Sequence, residues 1–337
     1  MTDARPLTLD PFGSVDPETQ AFVARLEEVL AAAPPPGSVP VEAVRQLRAE
    51  GKGVLPVHGP LPEGAWVEID PDALGVPGAS AGPRRVRVIE AEHGRAPRAL
   101  IIHLHGGGWT FGAAEQADGR CLSLARATGA MTVSISYRLA PEHVWPACAD
   151  DALAGALWSI EEASRRGDGA PLPVFITGDS AGAHLAAVTL LRLRDLGRLN
   201  AITGAVFIYG CFDLRMTPSM RNWGERNLVL STPIVDWFLG NLLGERKDDL
   251  AAAPEVSPLL ADLSGMPPAL FQVGGLDPLL DDSVFMAERW RAAGAQTALK
   301  IWPGAPHAFD YFDRDVDKLP IAPQSNRVST DFIQTLI

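Results

Sequence analysis

Residues 174–188 read VFITGDSAGAHLAAV, and this stretch constrains the fold of the 337-residue chain more than any other. Mostly apolar residues typical of a buried strand run into Gly178-Asp179-Ser180-Ala181-Gly182. An Ala/Leu/Val-rich run typical of a helix follows at once. Small residues on both sides of Ser180 allow strand and helix to pass close together at a sharp turn. The stretch therefore predicts a strand–turn–helix unit that lifts the Ser180 hydroxyl clear of a sheet.

Apolar and β-branched runs alternate with helical patterns along most of the chain. We predict strands over residues 65–70, 84–91, 99–104, 131–136, 173–177, 202–209, 269–273 and 297–301. We predict helices over residues 16–33, 41–50, 147–165, 181–196, 281–293 and 325–336. Strands that alternate with helices in this way indicate an α/β fold, with a mostly parallel central sheet flanked by helices.

The two N-terminal helices have the clearest apolar patterns. Asp16 can cap the first helix, and Pro17 suits its first turn. Its apolar residues recur at helical spacing and are Phe22, Val23, Leu26, Val29 and Leu30. The second helix places Val41, Val44 and Leu47 on one side. Both patterns predict amphipathic helices.

Residues 211–253 interrupt the alternation, because they contain no strand candidate. This insertion is rich in bulky apolar residues, which include Met216, Met220, Trp223, Trp237, Phe238, Leu239, Leu242 and Leu243. One interpretation is that these side chains only pack the insertion onto the body of the protein. The other is that some of them line a pocket over the sheet.

Ser180 would be a poor nucleophile without a base that accepts its proton. In a strand–turn–helix site of this kind, the base is a histidine that follows the serine and an acid in the chain. Only His184 and His307 follow Ser180. His184 lies four residues along the predicted helix, which favours a packing role. His307 comes just after the last predicted strand, so we predict that it is the base.

The acid should lie between Ser180 and His307, and Asp277 is the best candidate. It directly follows the predicted strand 269–273, at the edge of the sheet where sites of α/β proteins assemble. Asp281 and Asp282 are better explained as first-turn residues of the next helix, where the helix dipole favours them. Asp310, only three residues beyond His307, is the fallback.

Besides the serine, the base and the acid, the site needs backbone donors, and a glycine-rich loop after the strand at residues 99–104 can supply them. It reads His105-Gly106-Gly107-Gly108-Trp109. Consecutive glycines let a backbone bend tightly and present N–H groups with no side chain in the way. We therefore predict that the N–H groups of Gly106, Gly107 and Ala181 form an oxyanion hole.

These motifs, in this order, resemble those of the bacterial hormone-sensitive-lipase-like esterases, which are family IV of the bacterial lipolytic enzymes. The matching residues are HGGGW at 105–109, GDSAG at 178–182, Asp277-Pro278-Leu279, His307 and YRLAPEHVWPA at 137–147. The resemblance covers roughly residues 80–310 and implies the α/β-hydrolase fold. One departure is Ala308, because a glycine commonly follows the catalytic histidine in this family.

The resemblance also implies a helical cap in two parts. Residues 1–60 would supply the N-terminal cap helices and residues 211–253 the cap insertion. Residues 61–210 and 254–337 would then form the catalytic domain. Further residues would support the site, and these are His105, Gly108, Asp179 and Glu142. A homodimer is compatible with the resemblance.

The sequence thus predicts a serine carboxylesterase that hydrolyses short- to medium-chain esters through an acyl-enzyme, with neither cofactor nor metal. An amidase, a lactonase or a carbamate hydrolase could use the same three residues. A third alternative is a ligand receptor, since plant gibberellin receptors resemble this family. Those receptors lack the catalytic histidine, so His307 argues against this alternative.

Charge and composition narrow the partners and the compartment. The net charge of −12 argues against nucleic acid and disfavours a strongly anionic substrate, so we expect a small apolar ester. The three cysteines form no disulfide framework and no C-x-x-C pair. The sequence contains no apolar run of membrane-spanning length, and no signal peptide is predicted. We therefore expect a cytoplasmic protein without stable membrane insertion.

Overall fold

A computed structural model describes residues 14–56, 59–76, 84–91, 95–313 and 318–337. Residues 1–13, which belong to the predicted N-terminal cap segment, lie outside this part of the chain. The strands are β1 (Gly64–Ile69), β2 (Arg84–Glu90), β3 (Leu100–Leu104), β4 (Met131–Ser136), β5 (Val174–Asp179), β6 (Ile202–Ile208), β7 (Ala269–Leu276) and β8 (Thr297–Pro306). The α-helices are α1 (Pro17–Ala31), α2 (Val41–Ala49), α3 (Asp118–Thr128), α4 (Ala147–Arg166), α5 (Ala181–Asp195), α6 (Pro218–Trp223), α7 (Thr232–Leu243), α8 (Lys247–Ala251), α9 (Leu280–Ala292) and α10 (Ile321–Gln334).

The eight strands form one sheet in the order β1-β2-β4-β3-β5-β6-β7-β8. The pairs β1–β2 and β2–β4 are antiparallel, and the other neighbouring strands are parallel. The predicted α/β architecture with a mostly parallel sheet is therefore confirmed. Since parallel strands end at the same edge, the loops that follow β3, β5, β7 and β8 meet there.

Helices cover both faces of the sheet. One hydrophobic cluster joins α4, α5 and α9 to the sheet and contains Leu185 and Trp290. The opposite cluster joins α1 and α10 to the sheet and contains Leu26 and Ile333. Burial of each such side chain contributes about 1.5–3 kcal/mol. This two-sided packing fixes the positions of the strand ends that carry the site.

Each predicted strand and helix lies within a few residues of an observed element. Helix α3 has no counterpart among the helices predicted from the sequence. Its buried residues include the polar Asp118, which forms a 2.6 Å ion pair with Arg87, so its pattern is not that of a simple apolar stripe. The structure ends α3 at Gly129, which has a left-handed φ of 71°.

The N-terminal helices start as predicted, but their apolar sides do not all enter the core. Asp16 caps α1 by accepting a 2.8 Å hydrogen bond from the N–H of Thr19. Val29 is nevertheless 62% exposed, and Leu47 of α2 is 44% exposed. Both residues, together with Val44, line a large open cavity over the sheet. The apolar side that these residues form therefore faces the cavity and not the core.

The 211–253 insertion contains α6, α7 and α8 and contributes no strand to the sheet. Phe238 and Trp237 of α7 line the same cavity. Met220 is buried in the hydrophobic cluster of α4, α5 and α9, and Met216 packs against that cluster. Trp223 packs against the opposite cluster. The second interpretation of the insertion therefore holds: Trp237 and Phe238 line a pocket over the sheet, while Met216, Met220 and Trp223 pack the insertion onto the body. In the described part of the chain, no helix is long and apolar enough to cross a bilayer.

Candidate active site

Ser180 occupies the tight turn between β5 and α5. Its backbone has φ 54° and ψ −120°, a conformation that is strained for a residue with a side chain. A Cβ atom at Gly182 would lie 1.9 Å from the carbonyl oxygen of Leu104, and one at Gly178 would lie 2.4 Å from that of Gly182. Both flanking glycines are therefore required by close backbone contacts. The N–H of Ser180 donates to the carbonyl of Ile208 on the neighbouring strand (2.9 Å).

Three side chains from different strand ends meet at this turn. The Oγ atom of Ser180 lies 2.9 Å from Nε2 of His307, and Nδ1 of His307 lies 2.8 Å from Oδ2 of Asp277. The other oxygen of Asp277 accepts a 2.8 Å hydrogen bond from the N–H of Leu279. His307 is 3% exposed and Asp277 is 1% exposed, so water competes little for these bonds. The arrangement can take a proton from Ser180 and stabilise the resulting imidazolium.

The residue after the histidine departs from the glycine of the resembled family, and the structure shows what this means. Ala308 has φ 60° and ψ 24°, in the left-handed region that glycine adopts at no steric cost. Alanine therefore holds the same kind of turn under some strain. The turn keeps His307 directed at Ser180 despite the substitution.

The glycine loop after β3 lies beside Ser180, and its three glycines have different roles. The N–H of Gly106 donates to Oδ2 of Asp179 (3.1 Å), so it is occupied within the protein. Gly107 and Gly108 have φ 119° and 59°, and both line the cavity with Ser180. Our assignment of Gly106 to an oxyanion hole does not fit this hydrogen bond. The donors that remain are the N–H groups of Gly107 and Gly108.

His105 holds the start of this loop. Its Nδ1–H donates to the carbonyl of Gly106 (2.9 Å), and the hydroxyl of Tyr137 donates to the carbonyl of His105 (2.7 Å). The rings of His105 and Tyr137 stack with centroids 4.2 Å apart. Burial lowers the pKa of His105 to about 4, which keeps the ring neutral at neutral pH. His105 therefore shapes the backbone of the loop.

Asp179, next to the nucleophile, links several parts of the site. Its Oδ2 accepts hydrogen bonds from Gly106 and from the hydroxyl of Tyr311 (3.0 Å). Its Oδ1 lies 3.6 Å from Nε2 of His103, and within the described residues neither atom has a hydrogen-bond partner. Burial raises the pKa of Asp179 and lowers that of His103 well below its usual value. Tyr311 and His103 were not predicted, because no sequence motif contains them.

Two other predicted residues lie apart from the three central side chains. Glu142 forms an ion pair with Arg45 of α2 (2.8 Å), and Arg45 also donates to the carbonyls of Thr110 and Ala140 (2.9 Å each). Glu142 thus joins the segment after β4 to Arg45 of α2, and Arg45 itself also bonds to the segment after β3. His184 packs inside the protein: Trp109 Nε1–H donates to its Nδ1 (3.1 Å), and its Nε2–H donates to the carbonyl of Val256 (2.7 Å).

A cavity of about 500 Å³ opens over Ser180, which is a typical size for a small-molecule site. Its wall is mostly apolar and comes from residues 29–55, from the glycine loop and from the 211–253 insertion. Arg48, which was not predicted to contribute, also lines this cavity and stands four residues after Val44 on the same side of α2. Across the described residues, no group of three or more His, Cys, Asp or Glu side chains could hold a metal ion.

The fold and the strand-end site define the class of α/β hydrolases. A profile described as "alpha/beta hydrolase fold" matches residues 101–311. The chain is 37% identical to carboxylic ester hydrolase LipN of Mycobacterium tuberculosis, in an alignment that covers 73% of this chain and 66% of LipN. It is 31% identical to carboxylesterase NlhH of the same species, over 75% of this chain and 77% of NlhH.

The structure is similar to that of a hyperthermophilic esterase from the archaeon Pyrobaculum calidifontis. The TM-score is 0.78 and the sequence identity is 28%, and the match covers 96% of this chain and 99% of that one. The chain belongs to the hormone-sensitive-lipase-like (family IV) branch of the α/β hydrolases, a family of carboxylic ester hydrolases.

Proposed function

We propose that this chain hydrolyses short- to medium-chain carboxylic esters through an acyl-enzyme on Ser180. The observation that carries this proposal is the continuous hydrogen-bonded path from Ser180 through His307 to Asp277. Nε2 of His307 accepts the proton of Ser180 as Oγ attacks the ester carbonyl. The carboxylate of Asp277 holds the imidazole in the required tautomer and stabilises its cation. His307 then returns the proton to the departing alcohol, and water hydrolyses the acyl-enzyme by the same route in reverse.

As Ser180 attacks, negative charge develops on the carbonyl oxygen of the ester, and hydrogen-bond donors must be directed at that oxygen. We propose the N–H groups of Gly107, Gly108 and Ala181 for this role. Ala181 is the first residue of α5, where backbone N–H groups have no acceptor within the helix and the helix dipole favours negative charge. Asp179 supports this arrangement, because its hydrogen bond to Gly106 fixes the path of the loop.

We propose that a cap covers the site, and that it consists of the N-terminal segment up to residue 60 and the 211–253 insertion. Both segments line the cavity over Ser180 and remove an apolar ester from water. Each buried CH₂ contributes about 0.8 kcal/mol until the available space is filled. Affinity for the transition state should therefore rise with acyl length and then fall.

The experiment is a p-nitrophenyl ester series from acetate to palmitate, with kcat/KM measured for the wild type and for Ser180→Ala. We expect a maximum at a short or medium chain and a background rate for the variant. Matched amides, lactones and carbamates test the alternative reactions, and esters should be the fastest class. A wild type without ester turnover contradicts the proposal, whereas a steady rise to the sixteen-carbon ester contradicts only its substrate range.

The proposal includes a reducing compartment, namely the cytoplasm. All three cysteines, Cys121, Cys148 and Cys211, are buried free thiols, as expected where disulfides do not form. Fractionation of the native host with an antibody against this chain tests this part of the proposal. Recovery in the cytoplasmic fraction supports it, and recovery outside the cell contradicts it.

A further inference from the structure

Arg48 places a cation that has no ion pair among the described residues in the wall of the cavity that contains Ser180. It belongs to the last turn of α2 and lines the cavity together with Asp179 and the glycine loop. Its Nε atom is shielded from solvent and has no hydrogen-bond partner among the described residues. No ion pair joins its guanidinium to any acid of that part of the chain. The centroid of the Phe111 ring lies 5.9 Å from the Cζ atom of Arg48.

The other two cations of this region differ from Arg48, because each has its partners. Arg45, one turn earlier on α2, bonds to Glu142 and to two backbone carbonyls. Lys52, also in the cavity wall, pairs with Glu50 at 2.8 Å. An arginine has five N–H donors in a planar fork, and a contact at the outer limit of cation–π attraction uses none of them. Among the described residues, Arg48 thus has no acid to neutralise it, whereas Arg45 and Lys52 each have one.

A structural role does not account for this position. A cation in the last turn of a helix gains a few tenths of a kcal/mol from the helix dipole, but an exposed side chain obtains the same gain. Shielding the Nε atom of Arg48 from water without a partner costs free energy, and burial indeed lowers the pKa of Arg48. The residue stays protonated, since arginine does not lose its proton in proteins. A bound anion would offset this cost.

The location connects Arg48 to the reacting centre. The carboxyl of Asp179 and the hydroxyl of Tyr311 lie close enough to act on its charge, and Arg48 in turn acts on His105. Asp179 directs its Oδ2 at Gly106 and Tyr311, so it does not neutralise Arg48 through a hydrogen bond. Asp179 is also the only carboxylate in the described cavity wall. A ligand carboxylate beside Arg48 would therefore meet a like charge in this described wall only from Asp179.

We propose that Arg48 binds a carboxylate of the substrate, so that the preferred esters include half-esters of dicarboxylic acids or carboxylated alcohols. This inference rests on the proposed ester hydrolysis at Ser180. The planar fork of arginine matches a carboxylate with two parallel hydrogen bonds. The net charge of −12 acts on an anion at long range, where salt screens it over about 8–10 Å. The paired contact with Arg48 acts at short range and decides the preference.

The test compares substrates of matched shape and different charge. Monoethyl adipate and its terminal amide, ethyl adipamate, place the charge on the acyl side. The pair 4-acetoxybutanoate and 4-acetoxybutanamide places it on the alcohol side. For each pair we take the ratio of kcat/KM for the acid to that for the amide, at an ionic strength of about 0.15 M, where the net charge is screened, and at pH 7.5. The pair with the larger ratio identifies the side of the ester that faces Arg48.

The variants are Arg48→Gln, Arg48→Lys and, as a matched control, Lys52→Gln. We expect Arg48→Gln to lower the larger ratio about 10- to 100-fold, since a hydrogen bond to a charged group contributes about 1.5–3 kcal/mol. Arg48→Lys should retain part of the ratio because it keeps the charge without the fork. Lys52→Gln should leave the ratio unchanged, because the side chain of Lys52 is already paired with Glu50.

A ratio that is the same in Arg48→Gln and the wild type overturns the inference. An equal loss of kcat/KM for the acid and its amide is one such result, and it would mark a structural role for Arg48. Thermal unfolding of each variant shows whether it is folded, and inhibition by adipate against hexanoate gives a second measurement in the wild type. If the wild type fails to hydrolyse p-nitrophenyl butyrate as well, the proposed function itself is at fault.

Discussion

Nδ1 of His307 lies 2.8 Å from Oδ2 of Asp277, although 30 residues separate the two in the chain. Those residues form α9 and β8, which carry the chain away from the end of β7 and back to the same edge of the sheet. Both side chains are buried, and the second oxygen of Asp277 accepts a hydrogen bond from the N–H of Leu279. In the mechanism that we propose, Asp277 orients His307 and stabilises its cation.

Asp277→Asn should therefore lower kcat about 10⁴-fold, because an amide at this position favours the wrong tautomer of the imidazole. The measurement is kcat for p-nitrophenyl butyrate with purified enzyme whose fold is checked by circular dichroism. Asp310→Asn serves as the comparison. Asp310 contacts Arg120 and the hydroxyl of Tyr209, so its substitution should affect stability more than the chemical step. A larger loss of kcat in Asp310→Asn than in Asp277→Asn would reverse the assignment.

Buried histidines should make the protein less stable in acid. Burial lowers the pKa of His184 to about 4, whereas an unfolded chain has an ordinary histidine pKa near 6.5. The unfolded state therefore binds the extra proton first, and the free energy of unfolding falls as the pH drops from about 6.5 to about 4. His184→Gln should lose this part of the pH dependence. It should also be about 1–3 kcal/mol less stable at pH 7, because Trp109 and Val256 lose their partner.

The measurement is the urea midpoint at pH 7 and pH 4.5 for the wild type, for His184→Gln and for His143→Gln, whose side chain is exposed in the wild type. Asp282 contributes in the opposite direction, since burial raises its pKa to about 7 and favours the folded state in acid. Asp282 is present in all three proteins, so its contribution cancels when their changes in urea midpoint between pH 7 and pH 4.5 are compared. Equal acid shifts in all three proteins would show that His184 does not titrate as its environment indicates.

Phe238 should limit the length of the acyl chain. Its ring packs against the backbone of the glycine loop. The contact is so close that a Cβ atom at Gly108 would lie 2.4 Å from the ring. Phe238→Ala leaves space in the cavity that contains Ser180, and each further CH₂ buried there adds about 0.8 kcal/mol. The optimum of the p-nitrophenyl ester series should therefore move to longer chains by about two carbons or more.

Phe238→Leu provides a milder version if the alanine variant is unstable. Trp223→Ala is the matched control, since Trp223 belongs to the same insertion but packs outside the cavity and donates to the carbonyl of Arg226 (2.6 Å). The control should keep the wild-type optimum. The same shift in Trp223→Ala would mean that loosening the insertion, rather than the space at Phe238, changes the substrate range.

The sequence was enough to predict the sheet, the turn at Ser180 and the pair His307 and Asp277. Each of these side chains stands directly after a strand, and their chain order restricts the choice. The free donors of the glycine loop could not be predicted, because Gly106 is occupied by a side chain 73 residues away. Arg48 could not be predicted either. The apolar spacing of α2 is the same whether its side faces a core or a cavity, and only the tertiary structure decides between them.

The central claim is that Ser180, activated by His307, is the nucleophile. The most direct measurement treats the wild type, Ser180→Ala and His307→Ala with a fluorophosphonate and locates the adduct by peptide mass spectrometry, with turnover measured in parallel. We predict a single adduct on Ser180, none in Ser180→Ala, and slow labelling of His307→Ala. Turnover should fall about 10⁴-fold or more in both variants. An adduct on another residue, or near-wild-type turnover by folded Ser180→Ala, would contradict the account.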